Sequence, residues 1–200
     1  QKAGYALVGM DVVLVSDLPQ AAGLSSSAAV EMAFLLAWEA LCGFELDPLN
    51  RAQIGQKTEN EYVGVGSGLM DQFACVASQA NNLLFLDCRT FSHELLPLPP
   101  DVAVVLVDSG VQRRLASSQY NNRPAECREA TAVLQHHLPQ IQTLRDVSLD
   151  EFELFGHYLP EMLRRRALHV VGECARAQAG ATALRLGDVA TFGRLMRQSH

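Results

Sequence analysis

A chain of 200 residues, 48% hydrophobic and 19% charged, is long enough to bury about 70% of its unfolded surface without disulfide or metal support. Its 22 acidic residues outnumber the 16 basic ones, and no dense basic stripe occurs, which argues against nucleic acid and anionic membrane as partners. Cys42, Cys75, Cys88, Cys127 and Cys174 are odd in number, widely spaced and never form CxxC, so the expectation is reduced, mostly buried thiols of a cytoplasmic protein.

The chain begins at Gln1 without a methionine and enters a strand-like pattern at once, which predicts a piece of a longer protein. Alternation from Tyr5 to Leu18 predicts one or two strands. Helix is expected from about Ser26 to Cys42, with Ala29, Met32, Ala33, Leu36 and Ala40 along one face and Gly43 as the stop. Asp47-Pro48 reads as a cap followed by a first-turn proline, opening a helix that reaches roughly Tyr62. The glycines of "GVGSG" then break the chain, and "LMDQFACVASQ" resumes helix. Strands are predicted at Leu83–Cys88 and Ala103–Asp108, with Pro97, Pro99 and Pro100 between them. These prolines suggest a boundary between a first domain, residues 1–100, and a second, residues 101–200. Helices follow at about Ala116–His137, Leu149–Phe155, Pro160–Gly180 and Leu186–Gln198.

Two clusters carry chemistry. In "GLSSSAA" a glycine and three serines run into an apolar helix. The first turn of a helix presents unpaired N–H groups and the positive end of the macrodipole, and Gly23 lets a polyanion approach the backbone. Phosphate is a natural guest, with hydroxyls from Ser25, Ser26 and Ser27 available to its oxygens or to Mg²⁺. A plain serine N-cap is an equal alternative. No GxxxxGK[ST] occurs. In the second cluster Glu59 and Glu61 end one helix, glycines 64, 66 and 68 turn the chain, and Asp71 opens the next. Two carboxylates flanking such a turn can converge as metal ligand and base. By themselves they read better as a solvated Glu59 and an Asp71 that complements a helix N-terminus.

"PQAAGLSSSAAVEMA" resembles the second signature of the GHMP kinases, and "GSGLMDQFACV" is similar to the galactokinase segment that carries the catalytic aspartate. "LLFLDCRT", "SSQYNNRPAEC", "RALHVVGE" and "ALRLGDVATFGRLMRQSH" match the same family in the same order. The resemblance implies an ATP-phosphate loop over Ala21, Ala22, Gly23, Leu24, Ser25, Ser26 and Ser27. It implies Ser27 and Glu59 as Mg²⁺ ligands, Asp71 facing the sugar hydroxyl, and Gly68 and Tyr120 helping to seat the sugar. Ala21, Ala22 and Pro124 depart from the family, which often has glycine at the first two positions and arginine at the third.

The fold this implies is α+β in two layers: a ribosomal protein S5 domain 2-like part followed by a ferredoxin-like part, both incomplete. The implied activity is phosphoryl transfer from MgATP to the 1-hydroxyl of galactose in the cytoplasm. The partners would be galactose and ATP, with no nucleic acid and no membrane. A catalytically silent sensor of galactose and ATP, or a kinase for N-acetylgalactosamine or arabinose, are the alternatives.

Overall fold

The computed structural model describes residues 4–19, 23–107 and 122–200. Two compact units divide the chain, residues 1–118 and residues 119–200. Strand and helix both occur, so the class is α+β.

The first unit holds helices α1 (Ser26–Cys42), α2 (Pro48–Thr58) and α3 (Met70–Ala77), then a hairpin of β1 (Asn82–Leu86) and β2 (His93–Pro97). Gly43 ends α1 in the left-handed region at φ 70°, its N–H on Glu39 O, a conformation glycine adopts without steric cost. Asp47 caps α2 by accepting the Asn50 N–H, and Pro48 fills the first turn, where its missing donor is no loss. After Thr58 the helix widens into a π-helical turn, Glu59–Val63, closed by Gly64 at φ 78°. α3 packs on both α1 and α2. Ala52, Leu69 and Phe73 form its apolar seat, with Leu84 and Leu86 of β1 against them. The hairpin is antiparallel with Leu84 opposite Leu95, and Asp87 Oδ1 fixes its turn by accepting the Arg89 and Thr90 N–H groups.

Several expectations are corrected here. Residues 5–17 and 103–107 form no strand. Both runs have the composition of strands, but no neighbouring backbone among the described residues completes a ladder, and Val13, Val15, Val105 and Val107 stand exposed. β2 falls where the sequence showed only a short run before prolines. α1 buries Ala28, Met32 and Glu39; of the expected face Met32 is buried, Ala29 is half-buried, and Ala33, Leu36 and Ala40 stand exposed. None of the five cysteines is buried, and none forms a disulfide. Cys42 ends α1, Cys88 lies in the hairpin turn, Cys75 and Cys174 are exposed on helices, and Cys127 packs partly buried against the core of the second unit.

The second unit contains α4 (Arg123–Gln135), α5 (Leu149–Phe155), α6 (Glu161–Arg185) and α7 (Val189–Ser199). Leu134, Ile141, Leu144, Phe152, Leu163 and Val171 form its core. A capping box of Ser148 and Glu151 opens α5, and Arg166 pairs with Glu126 at 2.8 Å between α6 and α4. α6 runs on through Gly180, the expected stop, with that glycine buried and facing the Phe192 ring of α7. The stop comes at Gly187, at φ 71°.

Candidate active site

The N-terminus of α1 is built to be open. Gly23 at φ 76° and Ser25 at φ 53° both lie in the left-handed region, and Ser25 stands at the N-cap without a side-chain cap bond. No acid occupies the first turn. A non-glycine residue at positive φ is strained, and such strain collects at ligand-binding loops. The left-handed Ser25 followed by the right-handed turn of α1 forms a concave set of backbone N–H groups suited to an anion. Nothing lies within 4 Å of where a Cβ on Gly23 would sit.

Ser27 is exposed on this turn, and its hydroxyl donates to Glu59 Oε1 at 2.8 Å. Glu59 is only 5% exposed. The π-helical turn supplies it from α2, and π turns of this kind recur at functional sites. Its second oxygen, Oε2, accepts the Ser67 hydroxyl at 2.6 Å and Gln72 Nε2 at 2.9 Å. Ser67 is itself placed by its N–H to Asn60 Oδ1 and by its carbonyl, which accepts Gln56 Nε2 at 3.1 Å. Gln72 Nε2 also reaches Glu31 Oε2 at 3.1 Å. Burial pushes the Glu31 carboxyl above its ordinary range, the Gln72 hydrogen bond opposes that, and the nearby Glu59 charge adds to it.

Asp71 lies in the first turn of α3, next in sequence to Gln72. It is half-buried, and its carboxylate has no hydrogen bond or ion pair with another described residue. Gly68 is exposed on the turn leading to it, with open space where a side chain would stand. The structure therefore joins Ser27 directly to Glu59 and sets Asp71 beside Gln72, which touches Glu59. Leu24 and Ser26 complete the loop before and into α1. Ala21, Ala22 and Tyr120 lie outside the described residues.

The donor set at Ser27 and Glu59 is one hydroxyl and one carboxylate, hard oxygen ligands that suit Mg²⁺. That ion commonly takes one or two protein ligands and completes its shell with phosphates and water. No cage of three or more His, Cys, Asp or Glu occurs among the described residues.

Sequence reasoning missed Glu31, Ser67 and Gln72. Glu31 was accessible from its i,i+4 spacing to Ser27 on α1. Ser67 and Gln72 lie within the quoted "GSGLMDQ" but are uncharged, and nothing in their pattern announced a shared carboxylate.

Residues 1–79 match the family model described as GHMP kinases N terminal domain. A galactokinase from Roseiflexus sp. (strain RS-1) is 48% identical over 198 residues, which is 99% of this chain and 51% of that protein. A galactokinase from Lactobacillus helveticus is 37% identical over 96% of this chain and 50% of its own length. The crystal structure of Lactococcus lactis galactokinase complexed with galactose superposes with a TM-score of 0.81 at 36% identity. It covers 92% of this chain and 48% of that one. The chain spans about half the length of the curated relatives it matches. Similarity to galactokinases runs along nearly all of these residues and the fold is shared, and residues 1–79 belong to the GHMP kinases N terminal domain family.

Proposed function

We propose that the protein is a galactokinase, transferring the γ-phosphoryl group of ATP to the 1-hydroxyl of galactose to give galactose 1-phosphate and ADP. The observation that carries this reading is the 2.8 Å contact between Ser27 Oγ and Glu59 Oε1 beside the uncapped first turn of α1. Galactokinase relatives at 37–48% identity supply the sugar.

Phosphoryl transfer passes through a loose transition state, so catalysis is mostly alignment and charge neutralisation. Backbone N–H groups of the Gly23–Ser27 loop would hold phosphate oxygens. Ser27 Oγ and the Glu59 carboxylate would hold Mg²⁺, which when bound neutralises charge on the phosphates. Asp71 would accept the proton of the sugar 1-hydroxyl as its oxygen bonds to the γ-phosphorus and the bond to the ADP oxygen breaks. Gly68, without a side chain, would leave room for the sugar against α3, and Tyr120 would help to seat it.

Phosphorus-31 NMR of the intact protein with MgATP and, in turn, galactose, N-acetylgalactosamine and arabinose tests the assignment. An anomeric sugar phosphate is expected with galactose. A product with another of these sugars alone would reassign the substrate, and no product with any would leave a binding role in place of catalysis.

A further inference from the structure

The two oxygens of the Glu59 carboxylate are held differently. Oε1 accepts the Ser27 hydroxyl, whereas Oε2 accepts both Ser67 and Gln72. Gln72 has no exposed surface. Its amide nitrogen directs one N–H to Glu59 and the other to Glu31, so both of its donors serve carboxylates. The reverse orientation would set the amide oxygen against two carboxylates. The consequence is that Gln72 Oε1 is buried with no hydrogen-bond partner among the described residues.

A buried acceptor without a donor destabilises the fold, and an apolar side chain of the same length would avoid the cost. An unsatisfied group of this kind calls for an explanation in function. Gly55 contributes to the arrangement, since a Cβ there would run first into Met32 Cε and would also lie 3.0 Å from Gln72 Cγ and 3.1 Å from Glu31 Oε2. The α2 backbone is thus pared back where the Gln72–Glu31 pair sits.

We propose that Gln72 is a positioning residue for Glu59. Together with Ser67 it pins Oε2, which turns Oε1 toward Ser27 and keeps that oxygen available to a metal ion. Glu31 acts one step further out by fixing the direction of the Gln72 amide. Groups that orient a ligating carboxylate commonly change metal affinity 10–100-fold when removed. This inference rests on the proposed Mg²⁺ role of Ser27 and Glu59.

The test is Gln72→Met, which keeps length and volume while removing the donors and the orphaned oxygen. The readouts are Mn²⁺ binding to the intact protein with ADP, followed by electron paramagnetic resonance, and thermal unfolding without metal. We expect Mn²⁺ affinity to fall about 10–100-fold with the unfolding temperature within a few degrees of wild type. The Mg²⁺ concentration for half-maximal rate should rise while the sugar KM stays unchanged. Glu31→Gln should shift Mn²⁺ affinity in the same direction by less. Unchanged Mn²⁺ affinity in folded Gln72→Met overturns the proposal, as does a loss of affinity matched by an equal loss of folded protein. Should Gln72→Met not fold, unchanged affinity in Glu31→Gln overturns it. Wild-type protein that binds no Mn²⁺ with ADP overturns the kinase reading itself, a result visible before any substitution.

Discussion

Ser27 separates function from folding better than any other residue of the site. It is exposed on the first turn of α1, and its one side-chain hydrogen bond runs to Glu59. Ser27→Ala should therefore lower stability by about 1.5 kcal/mol, the lower end for a hydrogen bond to a charged group, since the serine itself is exposed. Loss of a preorganised electrostatic contact to a transferring group typically lowers turnover 10²–10³-fold, and a fall of about that size in kcat/KM for MgATP is expected. Steady-state kinetics beside urea unfolding would separate the two effects, and wild-type turnover would remove Ser27 from the metal's ligands. At this scale the sequence was informative through its motifs more than through residue type. The roles of Ser27, Glu59 and Asp71 came from the resemblance; by residue type alone Glu59 read as solvated, whereas it is 5% exposed. Gln72 was not legible, because its part depends on two carboxylates, 13 and 41 residues away in sequence, that only the packing of α3 on α1 and α2 brings together.

The elements that carry the site are joined by an ion pair at their far end. Arg51 of α2 donates from Nε and Nη2 to the Glu39 carboxylate of α1 at 2.9 and 3.0 Å, and the Leu46 N–H donates to the same group. Burial pushes the Glu39 carboxyl up, but the Arg51 hydrogen bonds, the Leu46 N–H and the Arg51 charge together outweigh it and hold it below the ordinary carboxylate range. A group depressed in this way contributes stability fully above its unfolded pKa of about 4.5, and that contribution is lost as pH falls through the lower folded value. Glu39→Ala should destabilise the first unit by about 3 kcal/mol at neutral pH, since it strands a largely buried guanidinium. It should also flatten the acid limb of a plot of stability against pH. Urea unfolding between pH 7 and pH 3 would measure both, and an unaltered acid limb would remove Glu39 from the pH response. Helix ends were legible because their signals are local: Gly43 and Asp47-Pro48 act within one turn. β1 was legible too, expected over Leu83–Cys88 and found over Asn82–Leu86, but the alternation in residues 5–18 and the continuous apolar run at 103–107 state a preference that only a distant partner backbone can satisfy. The face of α1 was right at Met32 and partly at Ala29 and wrong at the other positions, because alanines mark no side clearly.

At the scale of the whole molecule, the chain covers about half of each relative and exposes apolar surface that those strand-like runs carry. Val13 and Val15 are 89% and 87% exposed, and Val105 and Val107 are 78% and 86% exposed. Extended backbone with unpaired groups and β-branched side chains is a template for association. Expressed as these 200 residues alone, the chain is expected to self-associate in size-exclusion chromatography with light scattering, and a stable monomer would contradict this. The family was legible because six motif segments follow one another in order, something no single motif could establish. In the proposed reaction Asp71 takes the proton of a sugar hydroxyl beside the Ser27–Glu59 pair. The most direct measurement of this step is galactose-dependent ADP release by the intact protein and its Asp71→Asn variant, which keeps size and removes proton affinity. A positioned base is worth roughly 10²–10⁴ in rate, so kcat should fall by that factor with ATP affinity little changed. Undiminished phosphorylation of galactose by Asp71→Asn would contradict the account.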